Sequence, residues 1–537
     1  MLYLTSNALV GECLRIGLAT GSMPPAFLRP RLEEDTLLSL EPSSVMSSGP
    51  MNLLLAEHTA SWCLLTQFET AVAQAAKDTR LADLQARYPQ IDEQSILEFF
   101  VRLYQRGLLR LNGEPGLSPE LLNDGALFRD GLLVEILLTQ KCNLACRYCL
   151  AEAGPDMPHL HPEVAYAAVD AAFNLRTDRP LSIQLSGGEP FVNFKLFKAL
   201  VEYIEEKQRQ TGRSTRLSTQ SNGTLIDDEI AEFVKDHQIE IGISCDGPSQ
   251  LSDISRPMLG GQPSNERTLR GMRTLWRHGV TFGVILVLNR ANVEHPEEIV
   301  DFFTEAGINS IKVNPISMIG DARLTWNDMA ITGDQYFDFL DAFTERVIEK
   351  RVPLNESNLA EYLRYLVRRI HDYRCMRSNC GAGRSFFIVD ASGDVYPCAH
   401  SAGIPSWRLG KVSDAAGDLV GMGAKNRFVQ QFSLRLVEQI EDARRCPWRH
   451  FCEGGCAVNA YQRFGTIQAP DTLCSFYERF YPRLLERLAG EPERFQTLLD
   501  LVLGPERASV VDFALRGQDV TGSCEASPAQ RGAMHVA

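Results

Sequence analysis

The chain contains no run of apolar residues long enough to cross a membrane, and even the stretch 132–138 is broken by Glu135. A spanning helix needs about 18–20 such residues, so no membrane partner is expected. The start lacks the basic-then-apolar pattern of a secretory signal, because the first basic residue is Arg15. A cytoplasmic location is therefore expected. Positive charge is in deficit: 54 Lys and Arg against 68 Asp and Glu leave a formal net charge of −14. Such a surface repels phosphates unless a local basic groove forms, and no nucleic-acid partner is expected.

Cysteine, by contrast, is abundant, with 14 residues. Without a secretory signal, metal or redox chemistry is a more expected use for them than disulfides. Ten fall into three groups, at 142–149, 375–398 and 446–474. Cys13, Cys63, Cys245 and Cys524 stand alone and read as small buried hydrophobes.

With 537 residues, the chain is long enough for several domains. In residues 1–120, apolar runs at 37–40, 52–55 and 62–66 predict short strands. Helical patterns at 68–76, 81–88 and 93–106 end at Gly107, where a helix stop belongs. Together they predict a winged-helix-like domain, with 111–130 as its Pro- and Gly-bearing linker. Residues 131–330 alternate strand and helix. Strands are predicted at 132–138, 181–185, 216–220, 239–244, 282–288 and 310–314, with helices at 162–174, 194–208, 227–236, 266–278 and 296–306. This alternation predicts a parallel sheet with right-handed crossovers. Six units suit an α/β fold built as a partial (β/α)6 barrel rather than a closed eight-unit one. Residues 331–372 read as a helical bridge and 373–490 as a cysteine-rich domain with a hairpin at 386–397. The tail 517–537 is small and polar and reads as disordered.

The motif Cys142-x3-Cys146-x2-Cys149 follows the first barrel strand directly. Three thiolates at this spacing suit one corner of a cube-shaped iron–sulfur cluster, for which four thiolates are usual. With three, one iron keeps an exchangeable position. Zinc or buried thiols remain alternatives on spacing alone, although structural zinc wants four ligands and catalytic zinc wants histidine. The second strand ends in Ser186-Gly187-Gly188-Glu189-Pro190, whose glycines let backbone approach a ligand closely.

These two motifs at consecutive strand ends resemble those of the radical SAM superfamily. The resemblance implies that Cys142, Cys146 and Cys149 ligate a 4Fe–4S cluster. It also implies that Gly187, Gly188 and Glu189 bind the methionine part of S-adenosylmethionine, with Tyr148 near the adenine. Ser244 and Asp246, in Ile243-Ser244-Cys245-Asp246-Gly247, match a strand-end motif that reaches the ribose, and Asn222 ends the third strand. Taken singly, Asn222 and Asp246 read equally well as turn residues. The implied chemistry is reductive cleavage of S-adenosylmethionine to a 5′-deoxyadenosyl radical that takes hydrogen from a substrate.

The second field runs Cys375-x4-Cys380-x17-Cys398, then Cys446-x5-Cys452-x3-Cys456-x17-Cys474. It resembles the SPASM domain, which carries two auxiliary 4Fe–4S clusters. By that resemblance Cys375, Cys380, Cys398 and Cys456 hold one, and Cys446, Cys452 and Cys474 the other. The full pattern has a further cysteine where this chain has Ala443, leaving an open iron, an unusual ligand such as Asp442, or incomplete occupancy. The neighbouring anaerobic sulfatase maturases place an aspartate base directly after the cysteine matching Cys398, where this chain has Ala399. No catalytic base is legible, and His400 and Arg256 are the candidates.

The N-terminal unit resembles peptide-recognition domains of ribosomal-peptide maturases, which capture a leader by adding a strand to a sheet edge. The expected activity is a radical SAM peptide or protein maturase that installs a cross-link or another oxidative change. A flavodoxin- or ferredoxin-type protein is the expected reductant. Formylglycine formation, maturation of a quinone-containing enzyme subunit, and non-enzymatic electron transfer by a peptide-binding protein are the alternatives.

Overall fold

The computed structural model describes residues 4–5, 30–116, 131–175, 180–368, 375, 380–415 and 417–504. Its centre is a ten-stranded sheet. Six parallel strands, Leu132–Leu137, Leu181–Ser186, Thr215–Ser221, Glu240–Ser244, Phe282–Leu288 and Ser310–Pro315, run side by side in chain order. Helices connect them; Pro162 and Pro296 open two, a position where proline's missing N–H costs nothing.

Successive strand residues face opposite sides, and here the two sides differ in chemistry. Val134, Ile136, Ile183, Leu185, Ile241, Ile243, Val284, Leu286, Ile311 and Val313 pack outward under the helices in the main core. The alternate positions include Glu135, Gln184, Ser186, Ser218, Gln220 and Ser244, so the concave face is polar. Three links tie this face together. The Ser186 hydroxyl donates to Glu135 at 2.6 Å, Gln184 Nε2 to the same oxygen at 3.4 Å, and Gln220 Nε2 to Ser244 Oγ at 3.0 Å. Gly242 is what admits Gln220, whose Oε1 lies 2.2 Å from where a Cβ would stand.

The sheet does not stop at the expected domain boundary near residue 330. Asn355–Glu356 extends one edge, and Phe386–Val389 pairs in parallel with the first barrel strand at the other. The predicted hairpin supplies Phe386–Val389 and Asp394–Tyr396, and Gly410–Lys411 adds a further strand. The cysteine-rich region is thus joined to the barrel by main-chain hydrogen bonds. Helices Gly333–Lys350, Ser357–Arg368, Cys474–Gly490 and Pro492–Leu503 pack against this body, the last lying beyond the predicted domain. Among the described residues no helix is long and apolar enough to span a membrane.

The N-terminal region differs from the expected unit. It has a four-stranded sheet of Thr79–Arg80, Leu37–Leu40, Leu109–Leu111 and Glu114–Pro115, packed with helices Gln67–Gln74, Leu81–Arg87 and Glu93–Gln105. The stretch read as a linker therefore begins with two strands; residues 117–130 lie outside those described. A second antiparallel sheet, Leu4–Thr5, Trp62–Leu65, Met51–Ala56 and Ser43–Ser48, separates this unit from the barrel. Both its faces are covered. Leu54, Ala56, Cys63 and Leu65 pack on the N-terminal helices, while Leu53, Leu55, Trp62 and Leu64 join the main core. Trp62 Nε1 donates to Leu366 O at 2.9 Å, and Arg449 donates to Glu57 O at 2.6 Å. The predicted tail, 517–537, and Cys13 and Cys524 lie outside the described residues, whereas Cys63 and Cys245 are fully buried, as expected of lone cysteines.

Candidate active site

Cys142, Cys146 and Cys149 sit on the loop after the first barrel strand, each partly exposed and unpaired. Main-chain bonds clamp this loop. Ala145 N donates to Pro257 O at 2.8 Å and Arg147 N to Ser255 O at 2.9 Å. Backbone N–H groups also reach the sulfurs: Leu144 N lies 3.4 Å from Cys142 Sγ, and Ala153 N 3.4 Å from Cys149 Sγ. Burial pushes the Cys142 thiol up to about 12 and Cys146 to about 11, with Arg256 opposing the rise at Cys146. These thiols are neutral without metal, so taking up iron expels their protons.

The glycine turn seats against the thiol loop. Gly188 N donates to Thr139 O at 2.8 Å and Glu189 N to Lys141 O at 3.0 Å. A Cβ at Gly187, which has φ +152°, would stand 2.3 Å from Thr139 O, and one at Gly188 2.4 Å from Lys141 O. The glycines are needed so that the second strand end can lie against the thiol loop, and the Gly188 and Glu189 N–H groups are spent there. Glu189 is fully buried and accepts from Asn222 N at 2.7 Å, Ser221 Oγ at 3.0 Å and Phe191 N at 3.2 Å. Burial raises its carboxyl to about 7 against these three donors.

Asn222 carries the third strand end to the same loop. Its Nδ2 donates to Asn143 Oδ1 at 2.9 Å and lies 3.8 Å from Cys142 Sγ; Asn143 in turn donates to Thr224. From the fourth strand end, Asp246 accepts from the Tyr148 hydroxyl at 2.5 Å, Ser255 Oγ at 2.7 Å and Val287 N at 3.0 Å. Arg256 donates to the Tyr148 oxygen at 3.0 Å. All of Tyr148, Asp246, Ser255 and Arg256 are buried. Ser244 bonds Gln220 on the polar concave face. Every predicted residue of this site converges on the loop or the face beneath it. Asn143, Thr224, Ser255 and the concave-face polar residues were missed. Their signal was the polar alternation in Leu181-Ser182-Ile183-Gln184-Leu185-Ser186 and Thr215-Arg216-Leu217-Ser218-Thr219-Gln220-Ser221.

The second cysteine field lies in two clusters of thiols. Cys375, Cys380, Cys398 and Cys456 lie close enough for their thiols to act electrostatically on one another. His400 is held to Asn459 at 3.2 Å and lies 3.9 Å from Cys456 Sγ, and burial lowers its pKa. Arg435, 2 % exposed, donates to the Gly454, Gly455, Ile467 and Ala469 carbonyls at 2.6–3.0 Å, stitching the glycine-rich turn between Cys452 and Cys456. Sequence reading passed over this arginine because nothing in its spacing marks it. Cys446, Cys452 and Cys474 line one cavity together with Ala443, Arg449 and Glu478. Arg449 is 5 % exposed, and its Nε has no acceptor among the described residues. Three soft thiols and a buried arginine lining one cavity suit an anionic iron–sulfur cluster. Among the described residues no three His, Cys, Asp or Glu converge as a site for a single metal ion.

A model of the radical SAM superfamily matches residues 136–303. An uncharacterized protein of Methanocaldococcus jannaschii is 30% identical over 312 residues, 58% of this chain and 99% of that protein. The chain belongs to the radical SAM superfamily. A serine-type anaerobic sulfatase-maturating enzyme of Bacteroides thetaiotaomicron is 25% identical, over 63% of this chain and 86% of that protein. A cysteine-type counterpart of Clostridium perfringens is 24% identical, over 65% and 94%. Among solved structures, anSMEcpe with bound AdoMet overlays with a TM-score of 0.57 at 19% identity, covering 68% of this chain and 99% of that one. Streptococcus suis SuiB bound to precursor peptide SuiA overlays at 0.50 and 17%, covering 82% and 99%. In sequence this radical SAM enzyme is similar to anaerobic sulfatase-maturating enzymes, and membership of the superfamily implies S-adenosylmethionine and a 4Fe–4S cluster as cofactors.

Proposed function

We propose that this enzyme is a peptide maturase that abstracts a hydrogen from a residue of a ribosomally made peptide and installs a cross-link or similar oxidative change. The observation that carries this reading is the convergence of three strand ends on the thiol loop, above a polar concave face. Cys142, Cys146 and Cys149 hold the cluster. When bound, it and S-adenosylmethionine supply a one-electron reduction that yields a carbon radical able to take substrate hydrogen. The chain's own part is placement. Gly187, Gly188 and Asn222 fix the loop, while Glu189 braces the second strand end against the third. Tyr148, Asp246 and Arg256 wall the site from water, and the face bearing Glu135, Gln184 and Ser244 offers hydrogen bonds to an extended peptide.

Cys375, Cys380, Cys398 and Cys456, and Cys446, Cys452 and Cys474, would each hold an auxiliary cluster, and those clusters would supply an acceptor for the electron given up by the substrate. A flavodoxin- or ferredoxin-type protein supplies the first electron. The N-terminal unit binds the leader. A peptide substrate is supported by solved relatives bound to peptides, among them SuiB with SuiA and anSMEcpe with Cp18Cys. The sulfatase-maturating relatives favour formylglycine formation as the second reading. Against it, Ala399 packs with Leu137, Ile388 and Tyr396 and offers no proton acceptor after Cys398.

Anaerobically reconstituted enzyme with reductant, S-adenosylmethionine and the short peptides encoded beside its gene should release 5′-deoxyadenosine. The peptide should lose two hydrogens in mass. Cys146→Ala should abolish both. Absence of 5′-deoxyadenosine from the parent sinks the enzyme mechanism, and a hydrazide-reactive aldehyde in the product selects formylglycine instead.

A further inference from the structure

The cavity lined by Cys446, Cys452 and Cys474 offers three thiols where the fullest pattern has four, because Ala443 fills the missing position. Ala443 itself lines the cavity, so no ligand comes from there. Three carboxylates stand nearby, and their surroundings separate them. Asp471 lines the cavity, but it accepts from Cys456 N at 2.8 Å, Thr472 Oγ1 at 3.0 Å and Asn459 Nδ2 at 3.3 Å, and both its oxygens are engaged. Asp442 does not line the cavity. Glu478 does. It stands one turn along from Cys474 on helix Cys474–Gly490, so both side chains leave the same helix face toward the same space. Glu478 is solvent-exposed, and its carboxylate lies close enough to the Cys446 and Cys474 thiols to raise both electrostatically.

Resting on the reading of this cavity as an auxiliary cluster site, we propose that Glu478 is the fourth ligand of that cluster, its carboxylate oxygen taking the iron that Ala443 leaves without a thiolate. Oxygen is a harder ligand than thiolate and distinguishes one iron from the other three. Arg449, which lines the cavity, places a guanidinium charge beside it, suited to the net negative charge of a cluster with three thiolates and a carboxylate. Such a cluster is closed to substrate, so the second auxiliary group serves electron transfer and does not bind the peptide directly.

The test compares reconstituted full-length parent, Cys452→Ala, Glu478→Gln and Glu478→Cys by iron and sulfide content and by Mössbauer and EPR spectra. Cys452→Ala should lose one cluster's worth of iron and sulfide relative to the parent. If it loses none, the cavity holds no cluster, and the cluster reading falls together with the proposal. Given that loss, the parent should show one iron subsite with the larger isomer shift of oxygen ligation. Glu478→Gln should lose that subsite or shift the auxiliary EPR signal, and Glu478→Cys should replace it with an all-thiolate signature. The signal of the cluster at Cys142, Cys146 and Cys149 should be unmoved in both. A Glu478→Gln spectrum superimposable on the parent's overturns the assignment of Glu478 while leaving the cluster in place.

Discussion

At Gly188 a single methyl group would stand 2.4 Å from Lys141 O and 2.9 Å from the Ala153 side chain. Neither neighbour is the free end of a flexible chain, so Gly188→Ala must push the thiol loop off its seat. The expected cost is about 1–3 kcal/mol of stability, the usual range for overpacking. Thermal unfolding should register it, and iron bound at Cys142, Cys146 and Cys149 should fall. A variant with parental iron content and melting temperature would show that the loop has room to spare. At this scale the sequence was informative where a residue's chemistry announces itself. Cys142, Cys146, Cys149, Glu189, Asn222 and Asp246 lie together at the strand ends their sequence positions implied. What it concealed was which partner each one takes. Gly-Gly-Glu reads as a ligand cradle, and only the fold reveals that its N–H groups are consumed by Thr139 and Lys141.

The sheet strands Met51–Ala56 and Trp62–Leu65 serve two cores at once. Trp62 is 1 % exposed, sits in the main core and donates to Leu366 O. Trp62→Ala should cost about 3–5 kcal/mol, read as a lowered denaturant midpoint for the whole chain rather than for the N-terminal unit alone. Their unbroken apolar sequences concealed this. A run buried on both faces has no alternation to say which core each residue serves. The barrel strands were legible for the same reason in reverse, because helices of clear period separate them.

The short edge strand Asn355–Glu356 brings a second element-scale prediction. Glu356 is fully buried, accepts from Val313, Asn358 and Leu359 N–H groups, and has its carboxyl raised to about 7 from 4.5, chiefly by burial. The folded chain then keeps a proton that the unfolded chain releases between those values. Stability falls as pH rises through that window, by roughly 3 kcal/mol at most from this group. The difference in unfolding free energy between the parent and Glu356→Gln should therefore shift in the variant's favour from pH 5 to pH 8. A difference independent of pH would mean that the carboxylate is already ionised in the fold.

For the molecule as a whole, the cysteine-rich region and the barrel form one continuous sheet through Phe386–Val389 and Leu132–Leu137. That continuity was not legible, because parallel pairing between segments some 250 residues apart leaves no local mark; it depends on which edge the closed core leaves open. Its effect is to join the strand beneath the polar concave face to the strand beside the auxiliary thiols by main-chain hydrogen bonds. Electron removal from a substrate radical works over fixed distances across such a join.

The sheet with two buried faces has a metrical consequence. A recognition unit hung on a flexible linker raises local substrate concentration but leaves the point of attack free to wander. Here the N-terminal unit is welded to the barrel through Leu53, Leu55, Trp62 and Leu64. A leader docked on it would enter the barrel at a set distance, and the enzyme would count residues from that anchor. Lengthening the spacer between leader and modified segment by two or three residues should move the modification by the same number of positions, as peptide fragmentation would reveal. Modification that stays on its original residue would mean that the side chain, not the distance, selects the site.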